Sequence, residues 1–282
     1  MNEFQFKTLE NVEKAELAKV FNSAFADYFI KIEINEKNLS DKILTENIIL
    51  EKSVGTFLNG RLVGFILIGI DEFNGRKTAY NGGTGVLPEF RGNNLTSRMY
   101  QFILPQIIAE NIYFQRLEVV TENIPAIKVY QKVGYKKTKT LVCFKGKINI
   151  SKINNEVELK FLDEVDEKIF SQFWNTQPSW QNSISALKRT KHLNKIAGAF
   201  HHSGLVGYII FTESGRIKQF AVKPDFRHSG IGQTLFAFVK SELNNREILI
   251  VNVSKEDQIT ISFLEKMGLD LFLEQFEMVM QS

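Results

Sequence analysis

Val222-Lys223-Pro224-Asp225-Phe226-Arg227-His228-Ser229-Gly230-Ile231-Gly232 has a blurred copy earlier in the chain, Val86-Leu87-Pro88-Glu89-Phe90-Arg91-Gly92-Asn93-Asn94-Leu95-Thr96. Each copy follows an apolar, strand-like run and opens a helix-like one. At such a junction glycine lets the backbone turn tightly, and the unpaired N–H groups of the first helical turn point outward beside the positive end of the helix dipole. The chain is therefore expected to hold a pyrophosphate, at one or both places.

The repeat extends outward from these loops. Phe57-Leu58-Asn59-Gly60-Arg61-Leu62-Val63 reads as two strands around an Asn-Gly turn, and Phe200-His201-His202-Ser203-Gly204-Leu205-Val206 follows the same plan. Downstream, the β-rich runs Leu117–Val120 and Ile248–Val251 each precede a helical stretch closing on glycine, Gly134 and Gly268, the residue that suits a helix C′ position. Helical sequence precedes each hairpin, from Asn11 to Ile30 and Leu39 to Glu51 in the first half and from Glu164 to Lys195 in the second. Each half thus reads helix, helix, three strands, helix, strand, helix, strand. That order divides the chain into domains 1–147 and 156–282, joined by a polar linker at 148–155 in which Ile148 and Ile150 could still form strand.

Composition bounds the function. At 282 residues with 44% hydrophobic and 24% charged, the chain is ordinary for two globular domains. The single cysteine, Cys143, excludes an internal disulfide framework and a cysteine-based zinc cluster. His201, His202 and His228 lack a second spaced ligand set, so no metal is expected. A formal charge of +3 is too weak to argue for nucleic acid, and Lys136, Lys137 and Lys139 read as a solvated strand end. The apolar run Leu62–Ile70 is far below the roughly 20 residues a membrane helix needs. The start Met-Asn-Glu-Phe-Gln-Phe-Lys lacks the plan of a signal peptide, so a cytoplasmic location is expected.

Arg227, Gly230 and Gly232 match the Arg/Gln-x-x-Gly-x-Gly/Ala signature at the start of a helix, and with the order of flanking elements both halves resemble the Gcn5-related N-acetyltransferase (GNAT) family in tandem. The resemblance implies an α/β (α+β) fold of two domains, each a strongly twisted mixed sheet flanked by helices. It also implies acetyl-CoA as cosubstrate. The pyrophosphate would sit on Arg91, Gly92, Asn93, Asn94, Leu95 and Thr96, or on Arg227, His228, Ser229, Gly230, Ile231 and Gly232. The pantetheine would pair with the strand edge at Val86 or Val222. The first loop departs from the signature, with Asn94 and Thr96 at the two glycine positions. Asparagine tolerates left-handed backbone better than other side chains do, so the turn is strained but allowed. Gly82, Gly83 and Gly85 on the preceding strand mark either a bulge at the cofactor edge or a loosely built strand.

The catalytic motif divides the other way. Asn123, Ala126, Tyr130 and Gly134 fit the family's closing strand and helix, with Asn123 beside the cofactor. The second half carries Asp257, Thr260, Leu264 and Gly268 instead. A phenol near the thioester sulfur can donate a hydrogen bond or proton as the thiolate leaves; leucine cannot. The resemblance therefore makes Tyr130 the catalytic acid. Only a neutral amine attacks, and Glu118 is the nearest carboxylate in sequence to accept the proton, although alternation does not show which face it takes. Phe25, Tyr28 and Phe29 lie where the family walls its acceptor site, and equally suit a core. Trp174-to-Trp180 could line a pocket or dock the domains.

Two functions follow. One is an acetyltransferase acting on a small-molecule or peptide amine in a ternary complex, with chemistry in the first half and the second half binding, shaping the pocket or dimerising; a composite of the two halves is a variant of it. The other is a noncatalytic CoA-binding scaffold, because neither half has both an intact loop and the tyrosine.

Overall fold

A computed structural model describes residues 3–282. In chain order the elements are β1 (Gln5–Thr8), α1 (Lys14–Ala24), α2 (Glu36–Glu46), β2 (Val54–Leu58), β3 (Arg61–Phe73), β4 (Arg76–Val86), α3 (Leu95–Ala109), β5 (Phe114–Val120), α4 (Ile124–Val133) and β6 (Lys136–Gly146). They continue with β7 (Glu158–Phe161), α5 (Glu167–Phe170), α6 (Ile184–Arg189), β8 (Asn194–His201), β9 (Gly204–Thr212), β10 (Arg216–Val222), α7 (Ile231–Glu242), β11 (Ile248–Ser254), α8 (Gln258–Lys266) and β12 (Asp270–Gln281). Among the described residues no helix is long and apolar enough to cross a membrane.

Two compact units form, and neither is a contiguous half. The first takes residues up to Thr138 together with Phe276–Ser282, and the second takes Lys139–Gln275. The division at 148–155 expected from the sequence thus differs from the physical one. From Leu141 to Gly146 β6 pairs with β11, and residues 139–146 belong to the second unit, while the last strand residues return to the first. Unstructured polar composition marked the seam, but strand pairing decides which unit a residue serves.

In the first unit the strands run β1-β2-β3-β4-β5-β12, antiparallel from β1 to β4 with β4 and β5 parallel. The central strand β3 is buried from Leu62 to Ile70, on both faces. Successive side chains of a strand point to opposite sides, and each set meets its own helices. Phe65 and Leu67 pack with Leu17 and Phe21 of α1 and Leu39 of α2, whereas Ile66 and Ile68 pack with Met99 and Ile103 of α3 and Tyr130 of α4. The second unit repeats this. Its order is β6-β11-β10-β9-β8-β7; Tyr208 and Ile210 of β9 meet Phe170 and Leu187, and Ile209 and Phe211 meet Leu235 of α7 and Leu264 of α8.

Local chemistry sets the turns. Asn59 and Gly60 take φ of 50° and 80°, and His202 and Ser203 take 46° and 66°, the paired left-handed conformations of a tight hairpin. Gly134 and Gly268 close α4 and α8 with φ of 121° and 79°. One sequence expectation fails, two strands went unread, and one open alternative is decided. Residues 164–195 are not a long helix but short pieces, started by the side-chain caps Asp166 and Ser183 and interrupted by Pro178. The short edge strands β1 and β7 have too few residues to show alternation. Ile148 and Ile150 are not in strands; Ile148 is buried in the core of the second unit.

Candidate active site

Each unit contains one pair of parallel strands that part company. β4 and β5 pair from Thr78 to Asn81 only, and β10 pairs with β11 at Arg216 and Ile217 only. A bulge stands where each pair parts. The register of β4 on β3 passes from Gly83 to Asn81, leaving Gly82 unmatched, and that of β10 on β9 passes from Gln219 to Ile217, leaving Lys218 unmatched. A Cβ on Gly82 would stand 2.3 Å from Glu46 Oε2, so a larger residue in the first bulge would push the Glu46 carboxylate aside. Beyond the bulge each strand has main-chain groups with no ladder partner, and these need partners from elsewhere.

The two wedges differ in what fills them. In the second unit the wedge opens into a cavity of about 650 Å³. Its walls include Gln219–Val222 of β10, Ile250–Ser254 of β11, Gly230–Gln233 at the start of α7, Phe263 of α8 and the segment Phe173–Ser179. Trp174 is therefore a wall residue, its Nε1 donating to Tyr208 Oη at 2.6 Å, while Trp180 is buried. In the first unit Tyr28 reaches the corresponding place. Its phenol is raised by burial and has the Asn123 side chain and the Val120 main chain as polar neighbours.

The loops ahead of α3 and α7 share one backbone path. Gly92 and Asn94 have φ of 82° and 55°; His228 and Gly230 have 61° and 95°. Both left-handed positions survive the exchange of glycine for asparagine or histidine, so the degenerate signature still makes the turn. Neither helix has a side-chain cap, and the N–H groups of residues 95–97 and 231–233 precede the first intrahelical bonds, Arg98 N to Asn94 O and Thr234 N to Gly230 O. Val86 and Val222 end the strands that lead into these turns. The last signature glycine serves packing: a Cβ on Gly232 would lie 3.1 Å from the Phe263 ring.

The signature arginines turn inward. Arg227 donates to Val222 O (3.0 Å), Phe173 O (2.9 Å) and Asn175 Oδ1 (2.7 Å). Arg91 repeats the pattern with Val86 O, Ala24 O and both carboxylate oxygens of Asp27. Asp27 in turn is held below the usual carboxylate range by the Arg91 hydrogen bond. These side chains clamp the loop onto the segment after α1 or α5, while the main-chain N–H groups that open α3 and α7 have no side-chain cap.

Tyr130 and Glu118 occupy opposite faces of the first sheet. Tyr130 packs edge-on to Tyr100 and Tyr135, and burial pushes its phenol up to about 12, with Thr84 and Asn81 as hydrogen-bonding neighbours. Asn81 Nδ2 also donates to Tyr100 Oη at 2.7 Å and Thr84 Oγ1 at 2.8 Å, so the hydroxyls form a knit network. Glu118 accepts from Tyr80 Oη at 2.5 Å, its other oxygen is enclosed without a partner, and burial pushes the carboxyl up to about 7. Asn123 caps α4 by accepting from Ala126 N at 3.2 Å. Leu264, at the place of Tyr130 in the second unit, is fully buried.

The Glu118 shift makes a stability prediction. The folded chain keeps a proton that the unfolded chain releases above 4.5, so stability present at lower pH is lost as pH climbs to about 7. Glu118→Gln should abolish that slope, standing above the wild type by up to about 3 kcal/mol at pH 8 and matching it near pH 4.5. Urea unfolding at the two pH values measures the difference; equal slopes would contradict a buried, proton-holding carboxyl.

Family models match twice. The acetyltransferase (GNAT) family model covers residues 17–135, and an acetyltransferase (GNAT) domain model covers 160–270. The chain is a tandem member of the GNAT family. A GCN5-related N-acetyltransferase from Sphaerobacter thermophilus shares its fold with a TM-score of 0.75 at 13% identity, covering 99% of this chain and 95% of that one. A tandem GNAT protein from the clavulanic acid biosynthesis pathway gives 0.72 at 12%, over 99% and 98%. A GCN5-related N-acetyltransferase from Anabaena variabilis gives 0.63 at 16%, over 98% and 72%. No curated protein matches the sequence. Membership in the GNAT family supports acyl transfer in general. Among the described residues no group of three or more His, Cys, Asp or Glu could hold a metal.

Missed in the sequence were Tyr28 as a neighbour of Asn123 and the Val120 main chain, and Asp27 and Asn175 as partners of the arginine clamps. Only their position after the helix before the hairpin hinted at them.

Proposed function

We propose that this GNAT protein is an acetyl-CoA-dependent N-acetyltransferase whose cosubstrate is bound by the second unit and whose acceptor is a small-molecule or peptide amine, attacking directly in a ternary complex. One observation carries this reading: the wedge of the second unit is continuous with its glycine loop in one cavity, whereas in the first the Tyr28 hydroxyl lies beside Asn123 and the Val120 main chain, where β5 ends. Acetyl-CoA would supply an acetyl group activated as a thioester. For their part, the N–H groups of Ile231, Gly232 and Gln233 offer donors to a diphosphate at the positive end of α7. The main chain of β10 beyond Lys218 offers the partners an extended amide-bearing arm needs. Leu264 supplies no proton there.

A charge placed in the loop tests the assignment. His228 is exposed and left-handed, a conformation aspartate tolerates. His228→Asp should therefore keep the fold while setting a carboxylate against the phosphates. It is expected to weaken CoA binding and slow thiol release from acetyl-CoA about tenfold or more, with Asn93→Asp, at the first loop, within about twofold. The reverse pattern would move the cosubstrate to the first unit.

A second reading puts the chemistry in the first unit, through Tyr130 and Glu118. It is favoured by the Glu118 carboxyl being pushed up to about 7, where it can accept a proton from an amine near neutral pH. Under that reading Tyr130→Phe lowers turnover by about 100-fold; under the first it leaves turnover intact.

A further inference from the structure

The stretch between β6 and β7 lies across the start of α7. Gln233 Oε1 accepts the main-chain N–H of Ser151 at 3.1 Å and of Lys152 at 2.7 Å. Asn154 donates its main-chain N–H to Thr234 Oγ1 at 2.8 Å and its side-chain amide to Ser229 O at 3.0 Å. Upstream, Asn149 N donates to Met267 O at 2.8 Å and Ile148 is buried. The stretch is thus pinned on both sides of Lys152.

Lys152 itself runs along the glycine loop. Its Cγ, Cδ and Cε stand 3.3 to 3.4 Å from the position a Cβ on Gly230 would take, and the residue forms part of the cavity wall. A side chain larger than glycine would displace that stem. Lysine commonly lays its hydrocarbon on a surface while its ammonium stays in water, and here the stem lies on Gly230, where α7 begins. Three of the five N–H donors of Arg227 are committed to Val222, Phe173 and Asn175, so most of that guanidinium's hydrogen bonding is spent within the protein. Because the backbone of Lys152 is already fixed, less freedom is lost when its head engages a ligand than for a lysine on a mobile strap.

We infer that Lys152 is a phosphate-recognising residue of the second unit, its ammonium pairing with a phosphate of the nucleotide thiol held at the N-terminus of α7. This rests on the cavity assignment above. The phosphate is either the diphosphate or the 3′-phosphate of CoA, which share the chemistry and are separable by ligand.

Calorimetric titration of the full chain with CoA and with dephospho-CoA, which lacks the 3′-phosphate, tests the inference in the wild type, Lys152→Glu and Lys152→Arg. Thermal unfolding serves as the folding control. The expected result is CoA binding by the wild type, weakening by about tenfold or more in Lys152→Glu with an unchanged midpoint, and near-wild-type affinity in Lys152→Arg. A loss equal for both ligands supports pairing with the diphosphate, and a loss confined to CoA supports pairing with the 3′-phosphate. If Lys152→Glu binds CoA within about twofold of the wild type, the inference is overturned while the cavity assignment stands. If the wild type binds neither ligand, both fall.

Discussion

Arg227→Ala is expected to cost the second unit about 2–3 kcal/mol and to weaken CoA binding by about 10- to 100-fold. The guanidinium ties three places together: the end of β10 at Val222, the main chain at Phe173 and the Asn175 side chain. Its removal leaves two carbonyls and an amide oxygen short of donors, and frees the loop whose N–H groups must converge on a ligand. A misplacement of about 1 Å in a positioned group can cost a factor of 100. Lysine should not rescue the variant, because one ammonium on a flexible stem cannot span acceptors set for a planar fork. Urea unfolding and calorimetric titration measure the two effects. Retained affinity in Arg227→Ala would mean that the loop is held by something other than this clamp.

Removal of Phe276–Ser282 is expected to unfold the first unit and spare the second. The deleted residues include Met278 and Met280, both buried against Ile66, Ile103 and Tyr130. They also include Glu277, whose carboxylate accepts from Arg116 at 3.2 Å and from Thr138 at 2.9 Å. Losing two buried methionines costs about 2 kcal/mol each, and stranding Arg116 about 3 kcal/mol more. That sum rivals the 5–15 kcal/mol typical of a whole domain. Hydrogen exchange should show loss of protection across β4 and β5 with β9 and β10 unchanged. Protection unchanged in β4 and β5 would show that the first unit stands without these residues.

The legible parts of this fold were those set by neighbours in sequence. Asn59-Gly60, Gly134 and Gly268 report turns and helix ends because left-handed backbone has few suitable residues, and His202-Ser203 was legible only as the repeat of the first hairpin. The loop copies were legible for the same reason, down to the survival of the turn at Asn94. The bulge was half legible: three glycines announced it, but the side chain packed beside the unmatched Gly82, that of Glu46, is far away in sequence. What escaped depended on distant partners. An arginine beside a phosphate loop looks like a ligand until Ala24, Asp27, Phe173 and Asn175 are seen to satisfy it. Tyr28 could be wall, core or plug until the Val120 main chain appears beside it. The face taken by Glu118 was beyond a strand of seven residues with polar and apolar groups on both sides.

The return of the last strand residues to the first unit has a consequence for synthesis on the ribosome. Lys139–Gln275 is complete before the final residues are made, so the later-translated unit has its whole complement first. The earlier-translated unit waits, open at β5, until Phe276–Ser282 have been made. Its folding therefore waits for residues made after the whole of the second unit, and nascent chains stalled before Phe276 should expose it to chaperones and proteases.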